Sequence, residues 1–153
     1  MAISQAMVTS FKVEILNGVH AFGTSVTRAT TNADTFKIAL FTASATLSAT
    51  TTAYTSTLSD QVSSSGTNYT TGGQTLTVSQ VPTSTSTTAW LDFDDVTWPS
   101  ATISAAGALI YNETQGNKAV AVLDFGGTKS STAGNFTIQF PTANSTSAIL
   151  RIA

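Results

Sequence analysis

Val8, Phe11, Ile15, Val19 and Phe22 recur at spacings of three and four, with Leu16 beside them. Such spacing lays one apolar stripe along a helix and predicts an amphipathic helix over residues 4–22. Ser4 is suited to cap its start, and Gly18 or Gly23 to stop it, with the end favoured near His20–Gly23. Residues 1–22 therefore read as an N-terminal arm and helix.

After this segment the period falls to two. Phe36, Ile38 and Leu40 alternate with Lys37 and Ala39, and Leu76 and Val78 with polar neighbours. In 89–94, Leu91 and Phe93 share one face and Trp90, Asp92 and Asp94 the other. Further strands are predicted at 102–104, 108–112, 119–125, 136–140 and 147–152, separated by Gly72-Gly73, Pro82 through Thr87, Pro99, Gly116-Asn117, Gly126-Gly127, Gly134-Asn135 and Pro141. Roughly eight or nine such strands, rich in Val, Ile, Thr and Phe, predict a mainly β fold: an antiparallel β-sandwich, jelly-roll-like, or a barrel. Residues 42–57 are almost wholly Ala, Ser and Thr and read as a loop or weak edge strand anchored by Leu47 and Tyr54.

Composition narrows the function classes. The 153 residues suit one domain spanning 1–153. A hydrophobic fraction of 41% excludes a disordered chain. Six basic against eight acidic residues exclude a basic nucleic-acid footprint and argue against a polybasic membrane surface. No apolar run is long enough to span a bilayer, and the first residues lack the basic and apolar regions of a secretory leader, so synthesis in a cytoplasm is expected. The absence of Cys removes disulfides, thiolate metal ligands and a thiol nucleophile.

Candidate chemistry is sparse. His20 is the only histidine, and no Gly-x-Ser-x-Gly elbow accompanies it. It reads as a helix-end residue bonded to last-turn carbonyls or facing water. Asp92, Asp94 and Asp95 are the densest charge and could offer oxygen ligands to a Ca²⁺ ion. Two residues apart on a strand, Asp92 and Asp94 would lie ~6.5–7 Å apart, too wide for a compact cage though near an inverting glycosidase pair. The preferred reading is a solvated strand face. Tyr69, Trp90, Trp98 and Tyr111 could stack sugars, but core or interface packing is the better expectation. Asn-x-Ser/Thr triplets at Asn68, Asn112, Asn135 and Asn144 are little more than a chain about one-third Ser and Thr produces by chance. No catalytic residue, cofactor or metal ligand is assigned.

Several stretches carry a family resemblance. Phe11 through His20 followed by Asp34 through Phe41, then Asp92 through Trp98, Ala106 through Asn112, Asn117 through Gly126, Phe136 through Pro141 and Ile149 through Ala153, together resemble small virion proteins of tailed bacteriophages. The resemblance covers most of the chain, except the generic tract 42–57. It implies a non-catalytic β-sandwich on the virion, a capsid decoration or cement protein whose partner is the major capsid protein. It carries over no functional residue. Docking is expected through the N-terminal segment and exposed strand edges, with Ile3, Met7, Trp98 and Tyr111 as interface residues. Few Lys residues guard those edges, so self-association is expected, with a trimer favoured. The alternative is a tail or fibre adhesin domain that places Trp98 and Tyr111 in a shallow site for a host glycan.

Overall fold

A computed structural model describes residues 3–16, 19–23 and 33–152. The elements in chain order are β1 (Ala6–Met7), α1 (Thr9–Leu16), β2 (Phe36–Phe41), β3 (Gln74–Leu76), β4 (Val78–Thr85), β5 (Thr88–Phe93), β6 (Val96–Asn112), β7 (Lys118–Ile138) and β8 (Leu150–Ile152). The strands form two antiparallel sheets, ordered β1-β7-β6-β2-β3 and β4-β5-β8. The fold is mainly β with one short helix, consistent with the expected β-sandwich.

The β6–β7 hairpin organises the larger sheet. It turns through 113–117, where Gly116 and Asn117 take φ of +70° and +62°, and Asn112 pairs with Lys118. Near that turn, 105–111 and 119–123 are buried on both faces of the sheet. Further along, Val96, Trp98, Ala101 and Ile103 point inward while Ser100, Thr102 and Ser104 face solvent. Trp98 packs there against Tyr69 and Phe136.

Several predicted boundaries move. The helix spans Thr9–Leu16 and not 4–22, so Ser4 does not cap it. Ala6 and Met7 instead pair with Val122 and Ala121, and Val8 N–H reaches Val120 O at 3.2 Å. A sheet edge satisfies these amides, whereas a helix's first turn leaves its amides unpaired. The apolar stripe predicted burial better than helical extent: Val8, Phe11 and Phe22 are buried, although only Phe11 lies on α1. Gly18 as a stop lies outside the described residues, and 19–23 are not helical.

Three predicted turns are bends inside long strands. At Pro99 the β6–β7 register shifts, with Ser100 at φ +49°, and the strand continues. Gly126 and Gly127, at φ +66° and +128°, and Ala133, at +46°, bend β7 without ending it. Pairing with the continuous β6 turns these left-handed residues into bulges. The strand predicted from the alternation of Leu76 and Val78 splits at Thr77, where the chain passes from the larger sheet into the smaller one. Pro82 then lies within β4, an edge strand where its missing donor costs no ladder bond.

Candidate functional site

A partly buried polar chain sits where the β6–β7 turn meets the N-terminal segment. Position 14 comes from α1, 20 and 21 from the segment after it, 34 from the approach to β2, and 112, 115 and 118 from the hairpin end. Lys118 Nζ donates to Glu14 Oε1 at 2.8 Å, and Glu14 Oε2 lies 2.7 Å from His20 Nε2. The other ring nitrogen, Nδ1, lies 3.0 Å from Asn112 Nδ2. Asn112 Nδ2 also donates to Asp34 Oδ2 at 2.8 Å, and Asn112 Oδ1 accepts the Gln115 amide at 3.1 Å. Asp34 accepts the Ala21 amide at 2.9 Å and returns its own N–H to Ala21 O at 3.0 Å.

The donor and acceptor pattern sets the charge state. Asn112 is oriented by a donor on its oxygen and a carboxylate on its nitrogen, so it presents N–H to His20. Nδ1 must therefore accept, leaving Nε2 to carry the proton toward Glu14. Burial pushes the imidazole below its usual range, reinforced by the Lys118 charge and opposed by Glu14 and Asp34. Burial pushes Glu14 up, but hydrogen bonds from Lys118 and His20 and the Lys118 charge more than offset it and hold the carboxyl low.

The His20 ring has 0% of its side chain exposed. Phe11 meets it edge-on at 4.8 Å, and Phe22 stacks on Phe36 at 4.1 Å beside it. Next to this group runs a cleft of about 510 Å³, whose lining includes Met7, Phe11, Phe22, Val81, Trp90 and Ile152. Its described lining holds no Asp, Glu, Lys or Arg. Val81 and Ile152, at 38% and 50%, are the exposed large hydrophobic residues among those described.

The structure separates the predicted site residues. Trp98 and Tyr111 are 1% and 2% exposed, so neither offers surface to a partner or a glycan. Tyr111 donates to Gly72 O at 2.8 Å and stacks on Tyr54, which with Leu47 anchors the 42–57 tract as expected. Ile3 and Met7 are partly buried, packed against the core at the β1 edge, and only Met7 reaches the cleft.

The aspartates do not converge either. Asp92 is 1% exposed and not on a solvated face, because the small sheet buries Leu91, Asp92 and Phe93 in succession. Asp94 and Asp95 are exposed, and Asp95 Oδ1 accepts the Phe140 amide. Phe93 N–H bonds Asp92 Oδ1 at 2.9 Å, while Oδ2 has no partner. Burial and the Asp95 charge raise the Asp92 carboxyl, against the pull of the Phe93 and Ile149 amides; the Ile149 amide acts without closing a bond to Oδ2. Among the described residues no group of three His, Cys, Asp or Glu is placed to hold a metal ion.

His20 does not face water or bond last-turn carbonyls. Both ring nitrogens are engaged, which leaves none for a serine nucleophile. Sequence reasoning missed the group around it because its members are scattered from 14 to 118 with no diagnostic spacing. Asn112 reads as an ordinary strand-end residue until the fold buries it. No family model, curated protein or solved structure matches the chain.

Proposed function

We propose that the protein is a non-catalytic structural component of a bacteriophage virion, a decoration or cement subunit that binds and stabilises the head shell. The observation that carries this reading is the apolar cleft beside the smaller sheet, whose described lining holds no Asp, Glu, Lys or Arg. On β4 and β5 the one charged side chain, Asp92, is buried, and on β8 the exposed Arg151 pairs with Trp90. Exposed Val81 and Ile152 and half-buried Trp90 flank the cleft, and β4 and β8 are both edge strands. Apolar area depleted of charge is the usual composition of an interface core. Edges without a covering element favour pairing with another chain. The resemblance to tailed-phage virion proteins supplies the setting, with the major capsid protein as partner and self-association into a trimer.

Gold-labelled antibody against the protein, applied to intact virions and viewed by electron microscopy, tests the reading. Regular label over the head is expected. Label confined to the tail would transfer the protein to an adhesin role, and absence of label with a working control antibody would overturn the virion assignment. Sedimentation of the free protein reads the trimer.

A further inference from the structure

We propose that His20 is an acid-sensitive latch, holding residues 19–23 and the end of α1 against the hairpin only while its ring is neutral. The inference rests on hydrogen-bond geometry and is independent of any virion role.

The neutral ring is fully used: Nε2 donates to Glu14 and Nδ1 accepts from Asn112. A proton added at Nδ1 would set two donors against each other across 3.0 Å. Asn112 cannot relieve this by turning its amide over. Its oxygen would then face the Asp34 carboxylate, and its nitrogen would face the Gln115 N–H. None of the ring is exposed where it lies beside Phe11, Phe22 and Phe36.

The charged groups facing the ring come from each element around it. Glu14 on α1 and Asp34 before β2 favour an imidazolium, and Lys118 on β7 opposes it. Lys118 also occupies the Glu14 oxygen that the ring does not use. Burial outweighs the two carboxylates, so the docked ring binds a proton less readily than a released one. Docking is therefore favoured at neutral pH and weakens as pH falls below the free imidazole value of about 6.5. The low Glu14 carboxyl weakens it again in stronger acid, because that stability too is lost as pH falls. Release uncovers the Phe22–Phe36 stack beside the cleft.

Two amides report on the latch directly: Val19 N–H, bonded to Glu14 O at 2.9 Å, and Ala21 N–H, bonded to Asp34 Oδ2 at 2.9 Å. Hydrogen exchange of the whole protein, corrected for intrinsic rates, is expected to show their protection falling about tenfold between pH 7 and pH 5. Amides in the middle of β2 and β6 should hold theirs. His20→Gln keeps one donor and one acceptor but cannot titrate, and should flatten the response over this range. An equal fall in H20Q, or no fall in the wild type, overturns the proposal. Should H20Q not fold, the wild-type ring decides by NMR, where the sole histidine gives an unambiguous signal. A midpoint below about 6.5 with the neutral proton on Nε2 is expected. A midpoint at or above that value, or a proton on Nδ1, overturns the latch.

Discussion

The Asn112 amide donates to Asp34 across 2.8 Å, joining the end of β6 to the chain just before β2. Asp34 also takes N–H groups from Ala21 and Gln115. Asp34→Ala would leave these buried or half-buried donors without their acceptor. A loss of about 2–4 kcal/mol is expected, read as a lower urea midpoint. Asp34→Asn, which keeps an oxygen in place, should lose less.

Asp92 provides an opposite pH response at the other sheet. Its carboxyl is raised in the folded protein, so the fold binds that proton more readily than the unfolded chain does. The associated stability is present in acid and is lost as pH rises through the folded value. Asp92→Asn cannot ionise. Its stability relative to wild type should therefore grow from pH 4 to pH 7, measured by urea unfolding at each pH. A constant difference would remove the buried-carboxylate explanation.

The two tryptophans should separate by solvent quenching. Trp98 is enclosed by Tyr69 and Phe136, with a buried indole N–H that has no partner, whereas Trp90 lines the cleft. Iodide should quench Trp98→Phe nearly as a single accessible emitter and leave Trp90→Phe largely unaffected. Trp98→Ala should cost about 3–5 kcal/mol by opening a cavity, without a direct loss of interface area.

Gly73 tests a close backbone approach. It takes φ +76°, and an added Cβ would lie 1.7 Å from Ile38 O, which is backbone and cannot step aside. Gly73→Ala should destabilise by about 3 kcal/mol or more, or prevent folding. Gly116 has a similar φ of +70° but open space around it. Gly116→Asn should change stability by only about 0.5 kcal/mol, because Asn tolerates this backbone region. Thermal or urea unfolding of the pair makes the comparison.

Val81 and Ile152 test the apolar face. A double Val81→Lys, Ile152→Lys variant should unfold at the wild-type urea midpoint, because both side chains are exposed. Its self-association should weaken at least about tenfold, the effect of about 1.4 kcal/mol at an interface. Equal sedimentation of variant and wild type would place the contact elsewhere.

Local pattern determined the class of this fold and much of its core. The alternation of Phe36, Ile38 and Leu40 predicted β2, and the stripe through Val8, Phe11 and Phe22 marked side chains that are buried. Period and hydrophobicity are local, so they survive without knowledge of partners. Tertiary structure decided what the strands do. Gly126, Gly127 and Ser100 carry the left-handed backbone that serves turns and bulges alike, and only the continuous partner strand makes them bulges. Ala6 and Met7 sit in an apolar-periodic segment, yet the free edge of β7 drew them out of the helix. Burial of Trp98, Tyr111 and Asp92 likewise depended on which surfaces the sheets covered. The chain from Lys118 through Glu14, His20 and Asn112 to Asp34 has no sequence signature, because hydrogen bonding requires nearness in space and its members are far apart along the chain.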